Sequence, residues 1–554
     1  MHRLRIPLVV AAVAIAAALL IILPRADAGL LTKGPYIQNP GPTAMTVQYE
    51  TAAPLDGFVR YGPGAALDQK VPAQLHEKVE YPENPKDKKS PTRAAYLYRA
   101  RLTGLQPGTD YRYQVVPSAA DETTAAPVKT FRTFPEKADR VTFIAYGDTR
   151  TNPSAHRNVA ANFRKHDPAY ILHTGDLIAS GSTYALWNRE FFDPLAEVID
   201  HVPMMIAIGN HEKGQANVLR LFDMPGGRMW YSFDYGPVHV VVLDYLKNGP
   251  DVLAWLDQDL AAAQAPWKFA VLHYPLFNFG GHKTDANRLT FLPLFEKHGV
   301  DVVVAGHSHL YERFKPLARM GFDSGPAAAG AGAAGGSRQP ITFITTGGGG
   351  ATLTGSPPHD LLARNAKTYH YCVFAVDAET LRFQAFTSRG EELDALTLTK
   401  KSGRYDAAYL AQVRPMEEAI LAQGVIPLTA PVVEVFPAGR EPATVSIAVR
   451  FPGLGRPVTF QVRLAEESAK TYAMESVTVE FQPNAEKPLT FSLRSLANVV
   501  SGRDEKRQVL SPGPKFVLTA KSPPHEAVCR TESVTYRWAL IEKAKALAAE
   551  EAAP

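Results

Sequence analysis

Five groups of residues along the chain stand where an apolar run stops: Asp148 in "YGDTR", Asp176 in "HTGDL", Asn210 in "IGNHE", His273 in "VLHYP", and His307 with His309 in "AGHSHLYER". In four of the five, a glycine directly precedes the first polar residue, which lets the backbone turn sharply and leaves room for a ligand. Alone, a Gly-Asp is a turn or a helix cap, and a histidine at a strand end is a hydrogen-bonding residue. Together, two carboxylates, one amide oxygen and three imidazoles are the donor set of a Mn, Fe or Zn site. Burying so many polar groups without an ion would be costly.

The elements that position these residues follow from the apolar pattern. "VTFIAY", "AYILHT", "MMIAI", "VHVVVLD", "KFAVLH" and "VDVVVA" are apolar at nearly every position, as in strands buried on both faces. Helix-period segments separate most of them (154–166, 184–195 and 252–264), which predicts an α/β sheet covered by helices. Ligands of open sheets gather at the carboxyl ends of the strands, so the polar groups are expected along one rim of one sheet.

Upstream, residues 29–135 read as a β sandwich of ~100 residues, with Met45, Val47 and Tyr49 on one face of a strand and Tyr111 buried on the last strand but one. The run from Leu102 to Tyr111 resembles fibronectin type III domains. Residues 401–424 read as a helical linker, residues 425–540 as a second β sandwich, and residues 541–554 as a helical tail. The Gly/Ala-rich run 321–340 reads as a surface insertion without chemistry.

The order GD, GD, GNHE, H, GHSH resembles that of the calcineurin-like metallophosphoesterase superfamily. With "KGPYIQNPGPTAMTVQYET" near the start and "GHSHLYER" near the end, it is most similar to the purple acid phosphatase branch and its bacterial relatives. The likeness runs from Thr32 to Lys400 and implies a four-layer (αββα) catalytic domain over residues 140–400. It also implies two metal ions: Asp148 and His309 on the first, Asp176 bridging, and Asn210, His273 and His307 completing the second. A paired-ion site of that kind activates water against phosphorus in a phosphate monoester or diester. His211 matches the family histidine that contacts the phosphate and assists the leaving alkoxide, with a role in orienting Asn210 as the alternative.

Two positions depart from the family. The superfamily has a metal-binding histidine where Arg150 stands, and the purple enzymes have a tyrosine where Ala179 stands. A guanidinium has no lone pair to offer a metal, so Arg150 is read as a contact to the substrate phosphate, against a structural ion pair. His156 is either an extra ligand to the first ion or a solvent-facing or phosphate-contacting helix residue, and Tyr184 is a further alternative ligand. His282 lies on a Gly-rich loop after His273, where substrate-facing residues sit. His173 reads as support behind the site or as packing, and Glu212, Glu312 and Arg313 as structural ion pairs at loop bases.

The bulk properties limit the alternatives. The 554 residues carry 59 basic against 55 acidic side chains, a net charge of +4 with no basic stripe, so no nucleic-acid partner is expected. Arg3 and Arg5, the apolar run from Leu8 to Leu23, and Ala26-Asp27-Ala28 have the layout of a secretory signal over residues 1–28. The protein is therefore expected to be secreted or periplasmic, with an N-terminal membrane anchor only if the signal is retained and no stable membrane span after cleavage. Cys372 and Cys529 do not make a disulfide framework, and Cys372 reads as a buried strand residue. The competing class is a non-catalytic binding or adhesion protein with a degenerate core.

Overall fold

The computed structural model describes residues 30–245, 247, 249–282, 287–316, 339–358 and 362–413, with strand segments and short turns between 425 and 530. The signal segment, the Gly/Ala-rich run up to residue 338, "SVTYRW" and the C-terminal tail lie outside the described residues.

The first 100 residues of the fold are two four-stranded sheets. One contains β1 (Leu31–Gln38), β2 (Ala44–Thr51), β5 (Gln74–Pro82) and β6 (Thr92–Thr103). The other contains β3 (Phe58–Pro63), β4 (Gln69–Pro72), β7 (Asp110–Val116) and β8 (Lys129–Arg132). Met45, Val47 and Tyr49 are buried between the two, as their alternation predicts, and Tyr111 packs on Phe131 with ring centroids 5.4 Å apart.

The central region forms two seven-stranded sheets, which corrects the expectation of a single rim on a single sheet. In the first, β9 (Arg140–Tyr146), β10 (Ile171–His173) and β11 (Met204–Ile206) run parallel, and β19 (His370–Asp377), β20 (Thr380–Thr387), β21 (Glu392–Lys401) and β22 (Arg404–Tyr405) continue the sheet from β9. In the second, β13 (Val238–Val242), β14 (Trp267–Leu272), β15 (Val302–Ala305) and β17 (Thr342–Thr346) are parallel, and β12 (Tyr231–Tyr235), β16 (Tyr311–Phe314) and β18 (Leu362–Ala366) are antiparallel. The inner faces meet through Phe143 of β9 and Phe374 of β19, whose rings lie 5.2 and 5.3 Å from that of Phe269 on β14. A strand covered by a second sheet on one face and by helices or loops on the other is apolar throughout, so the pattern is the same for one sheet or two.

The expected helices are shorter and more broken than their periodicity suggests. Pro153–Ala160 is α-helical, capped by the Asn152 side chain on the Ala155 amide, and a separate turn covers Phe163–His166. A π-helical turn at Asn188–Phe192 leads into Asp193–Leu195, and Pro250–Ala262 is a full helix. Past Lys401 the chain turns back as β22 and forms a helix over residues 407–413. Between 425 and 530, strands form one five-stranded and one four-stranded sheet. Among the described residues, no helix is long and apolar enough to cross a membrane. Cys372 is buried and free.

The N-terminal sheets are tied to the central region by buried polar contacts. Lys33 donates to Glu50 at 2.8 Å and to Asn188 at 2.5 Å, and the Tyr184 hydroxyl donates to the same Glu50 carboxylate. Tyr184 is thereby an interface residue, which overturns its reading as an alternative metal ligand. Tyr36 and Tyr113 donate to the carbonyls of Leu221 and Asp200. The Lys33 and Glu50 side chains are each only 2% exposed, so the pair must stay matched. Glu50→Ala leaves the ammonium buried without its carboxylate and is expected to cost ~3–5 kcal/mol, read as a lower melting temperature. Lys33→Met with Glu50→Leu is expected to recover most of that loss.

Candidate metal centre

The parallel strands of both sheets deliver their polar residues to one place. Asp148, Asp176 and Asn210 follow β9, β10 and β11 of the first sheet, while His273 and His307 follow β14 and β15 of the second. Asp148, Asp176 and His307 have φ of +56°, +58° and +68°. Left-handed backbone at a residue other than glycine costs on the order of 1–3 kcal/mol, and three such residues in one cluster mark a functional site. Glu212 stabilises the turns by accepting the amides of Asp176, Leu177 and Gly209 at 3.0, 2.8 and 2.6 Å. It makes amide hydrogen bonds rather than the ion pair expected of it. Glu312 likewise accepts the Gly280 amide at 3.0 Å, whereas Arg313 does form its ion pair, with Asp394 at 2.7 Å.

The ligating atoms of Asp148, Asp176 and His273 lie within 4.8 Å of one another, all buried. His273 donates from Nδ1 to the Thr174 carbonyl at 2.8 Å, so its Nε2 carries a lone pair. That lone pair faces two further acceptors, Asn210 Oδ1 at 3.0 Å and Asp176 Oδ1 at 3.4 Å. His307 Nδ1 lies 3.0 Å from the same Asn210 oxygen. Burial, with His273 beside it, pushes the His307 imidazole down to about 2, and burial also lowers His273. The lone pair on His273 Nε2 and the oxygens of Asn210 and Asp176 repel each other unless positive charge lies among them. Asp176, Asn210, His273 and His307 therefore fit a metal ion.

The first position differs. His309 donates from Nδ1 to the Thr352 carbonyl at 2.9 Å, leaving Nε2 as acceptor, 3.6 Å from Asp148 Oδ1. Asp148 Oδ2 accepts the His307 amide at 2.8 Å, but Oδ1 is buried without a hydrogen-bond partner. Burial, reinforced by the neighbouring charge of Asp176, pushes the Asp148 carboxyl well above the usual range. Burial alone would raise Asp176 too, but His273, the His211 amide and side chain, and Arg150 outweigh it and hold that carboxyl below its ordinary value. Arg150 is turned inward: Nε donates to Asp176 Oδ2 at 3.1 Å and Nη2 to His309 Nε2 at 3.0 Å.

The remaining candidates divide. His211 donates from Nδ1 to the Ala179 carbonyl at 2.7 Å, and its Nε2 lies 3.9 Å from Asp176 Oδ2. His282 places its ring 5.1 Å from that of His307 and 4.9 Å from that of His309, so it joins the rim. His156 does not: it is fully buried, with Nδ1 on the Glu190 carbonyl at 3.0 Å and Nε2 on the Tyr146 hydroxyl at 3.1 Å. Both of its nitrogens are used inside the core, which overturns its readings as ligand and as phosphate contact. His173 packs behind the site, with Nε2 3.2 Å from the Thr149 hydroxyl.

Two features escaped the sequence reading. Tyr274, directly after His273, sets its ring 4.2 Å from that of His307, and Tyr245 packs 4.3 Å from Tyr274, walling one side. The run Gly347–Gly350 after β17 fits against the ligand loops so closely that side chains have no place. A Cβ on Gly347 would lie 2.1 Å from the Ser308 carbonyl oxygen, and one on Gly349 would lie 2.5 Å from that of Gly147. Four consecutive glycines after a strand were the available signal.

Residues 141–311 match the family model described as calcineurin-like phosphoesterase, and residues 33–133 match that described as the purple acid phosphatase N-terminal domain. The chain carries a calcineurin-like phosphoesterase domain behind a purple acid phosphatase N-terminal domain. It is 27% identical over 319 residues to acid phosphatase type 7 of Mus musculus, covering 51% of this chain and 70% of that protein. Purple acid phosphatase 23 of Arabidopsis thaliana is 27% identical over 277 residues, covering 40% of this chain and 58% of its own length. Among solved structures, the purple acid phosphatase PPD1 from yellow lupin (Lupinus luteus) seeds shares the fold, with a TM-score of 0.54 at 19% identity over 66% of this chain and 74% of that one. The family match and the phosphatase relatives indicate a phosphoesterase hydrolase, and the matched family implies a dinuclear metal centre.

Gly347→Ala is expected to lower both bound metal per chain and melting temperature, because the Ser308 carbonyl between His307 and His309 must shift. Gly355→Ala, whose Cβ would meet only Lys367 at 3.8 Å, is the control expected to leave both unchanged.

Proposed function

We propose that the protein is an extracytoplasmic, metal-dependent phosphoesterase that hydrolyses phosphate monoesters, with diesters as the second substrate class. The observation that carries the metal dependence is the unprotonated Nε2 of His273 aimed at the oxygens of Asn210 and Asp176. Carboxylate, amide and imidazole donors suit Mn, Fe or Zn, held by Asp176, Asn210, His273 and His307. When bound, such an ion supplies Lewis-acid polarisation of the phosphoryl oxygens and lowers the pKa of water.

The chain's own residues supply the rest. His211, anchored by Nδ1 on Ala179, keeps Nε2 at the rim, where in its imidazolium form it donates to the phosphate and passes its Nε2 proton to the departing alkoxide, becoming neutral. His282 at the mouth of the site is placed for a phosphoryl oxygen, and Tyr274 with Tyr245 gives the leaving group an apolar wall. The phosphatase names of the relatives support the monoester preference, and the N-terminal pattern of arginines, apolar run and Ala26-Asp27-Ala28 supports export. The edge-to-face packing of Phe143 and Phe374 against Phe269 supports a four-layer catalytic domain over residues 140–400, and the two sheets between 425 and 530 support a C-terminal β sandwich.

Two observations favour the second reading, a non-catalytic binding protein: Arg150 stands on Asp176 and His309, and Ala179 replaces the family tyrosine. Hydrolysis of an aryl phosphate and an aryl phosphodiester in the presence of Mn, Fe or Zn separates the two. Turnover of the monoester is the expected result, and a metal-loaded protein inert towards both esters would establish the binding role. Asp176→Asn is expected to lose more than ~100-fold in activity together with its metal. His211→Ala is expected to lose ~10²–10⁴-fold in kcat with metal content unchanged.

A further inference from the structure

The first cation position is where this chain departs from the dinuclear pattern of its family. The resemblance assigns three side chains to it, Asp148, Asp176 and His309, and Arg150 holds two of them. Nε takes Asp176 Oδ2 at 3.1 Å and Nη2 takes His309 Nε2 at 3.0 Å. The arginine side chain is 14% exposed, so its charge is spent within the site rather than in solvent.

The geometry is exclusive. The Nδ1 hydrogen of His309 is committed to Thr352, which leaves a single lone pair on Nε2, lying in the ring plane. A metal bound along it would sit ~2 Å from Nε2, hence ~1 Å from the nitrogen that Arg150 places there. Ion and guanidinium cannot share that position. Electrostatics point the same way. Asp148 and Asp176 are buried carboxylates that require a counter-charge, and a guanidinium stays protonated at any working pH. A single residue, Thr149, separates Arg150 from Asp148, whose left-handed turn directs the loop back over the site. Asp148 Oδ1 is the acceptor that the guanidinium leaves without a hydrogen bond.

We propose that Arg150 is a resident cation standing in for the first metal ion, so that the chain binds one divalent ion, on Asp176, Asn210, His273 and His307, with a guanidinium as its fixed partner. This rests on the reading of those four residues as a metal site. It replaces the sequence-based role of Arg150 as a pure substrate contact with a structural charge at the heart of the centre.

The test is metal stoichiometry, independent of turnover. The purified full chain, Arg150→His and Arg150→Ala are each loaded with Mn(II), freed of excess ion and measured by elemental analysis and titration calorimetry. One equivalent in the native chain and two in Arg150→His are expected, with Arg150→Ala also gaining a second, weaker equivalent. Two equivalents in the native chain, or one in all three proteins, would overturn the proposal while leaving the metal site intact. No ion in any of them would remove the metal-site reading itself and this inference with it. Because a variant that unmasks two carboxylates can fail to fold, electron paramagnetic resonance of the native Mn(II)-loaded chain serves as a second measurement. Isolated Mn(II) is expected, and an exchange-coupled pair would refute the assignment.

Discussion

The centre of this molecule is organised by a shortage of positive charge. Two buried carboxylates, an amide oxygen and the lone pairs of imidazoles are brought within a few ångströms of one another at the ends of parallel strands. In a medium that screens little, such a group of acceptors is stable only around cationic charge. The surrounding structure answers that requirement. Glu212 fixes the loops through amides rather than by bringing in another cation, left-handed turns aim the carboxylates inward, and a run of four glycines allows the backbone to close behind them. Arg150 meets part of the requirement from within the chain, and the set around Asn210 asks for the rest from outside.

The identity of these residues was legible because each sits at a strand end and each strand announces itself by unbroken apolarity. Asp148, Asp176, Asn210, His273, His307 and His309 do converge, and His211 and His282 join them at the rim. How the strands are shared between sheets was not legible, since an inner strand of a two-sheet stack and a strand of a helix-covered single sheet bury the same residues. His156 misled for a related reason. A histidine near the start of a helix has the same sequence context whether its ring faces a ligand or the core, and only the positions of Glu190 and Tyr146 decide.

Arg150 illustrates a different limit. Its chemistry, a permanent cation with donors and no lone pair, was readable from its type, and that is why it was left off the list of ligands. Its direction was not, because a residue two beyond a turn can point outward to a substrate or inward to the carboxylates with no change in local pattern. The rim tyrosines and the polyglycine run lie in the same class. Their residue types are ordinary, and only their proximity to His307 and Ser308 gives them meaning.

The buried ammonium of Lys33 reaches across from the N-terminal sheets to Asn188, while its carboxylate partner also serves the Tyr184 hydroxyl. Half of that network belongs to each region, so neither half is complete in isolation. A fragment beginning near residue 136 would carry Tyr184 and Asn188 with their partners deleted, opening a wetted hole on the flank of the segment that follows the Asp176 turn. The leading β region is thus part of the wall of the hydrolase rather than an appendage that could be exchanged for another module.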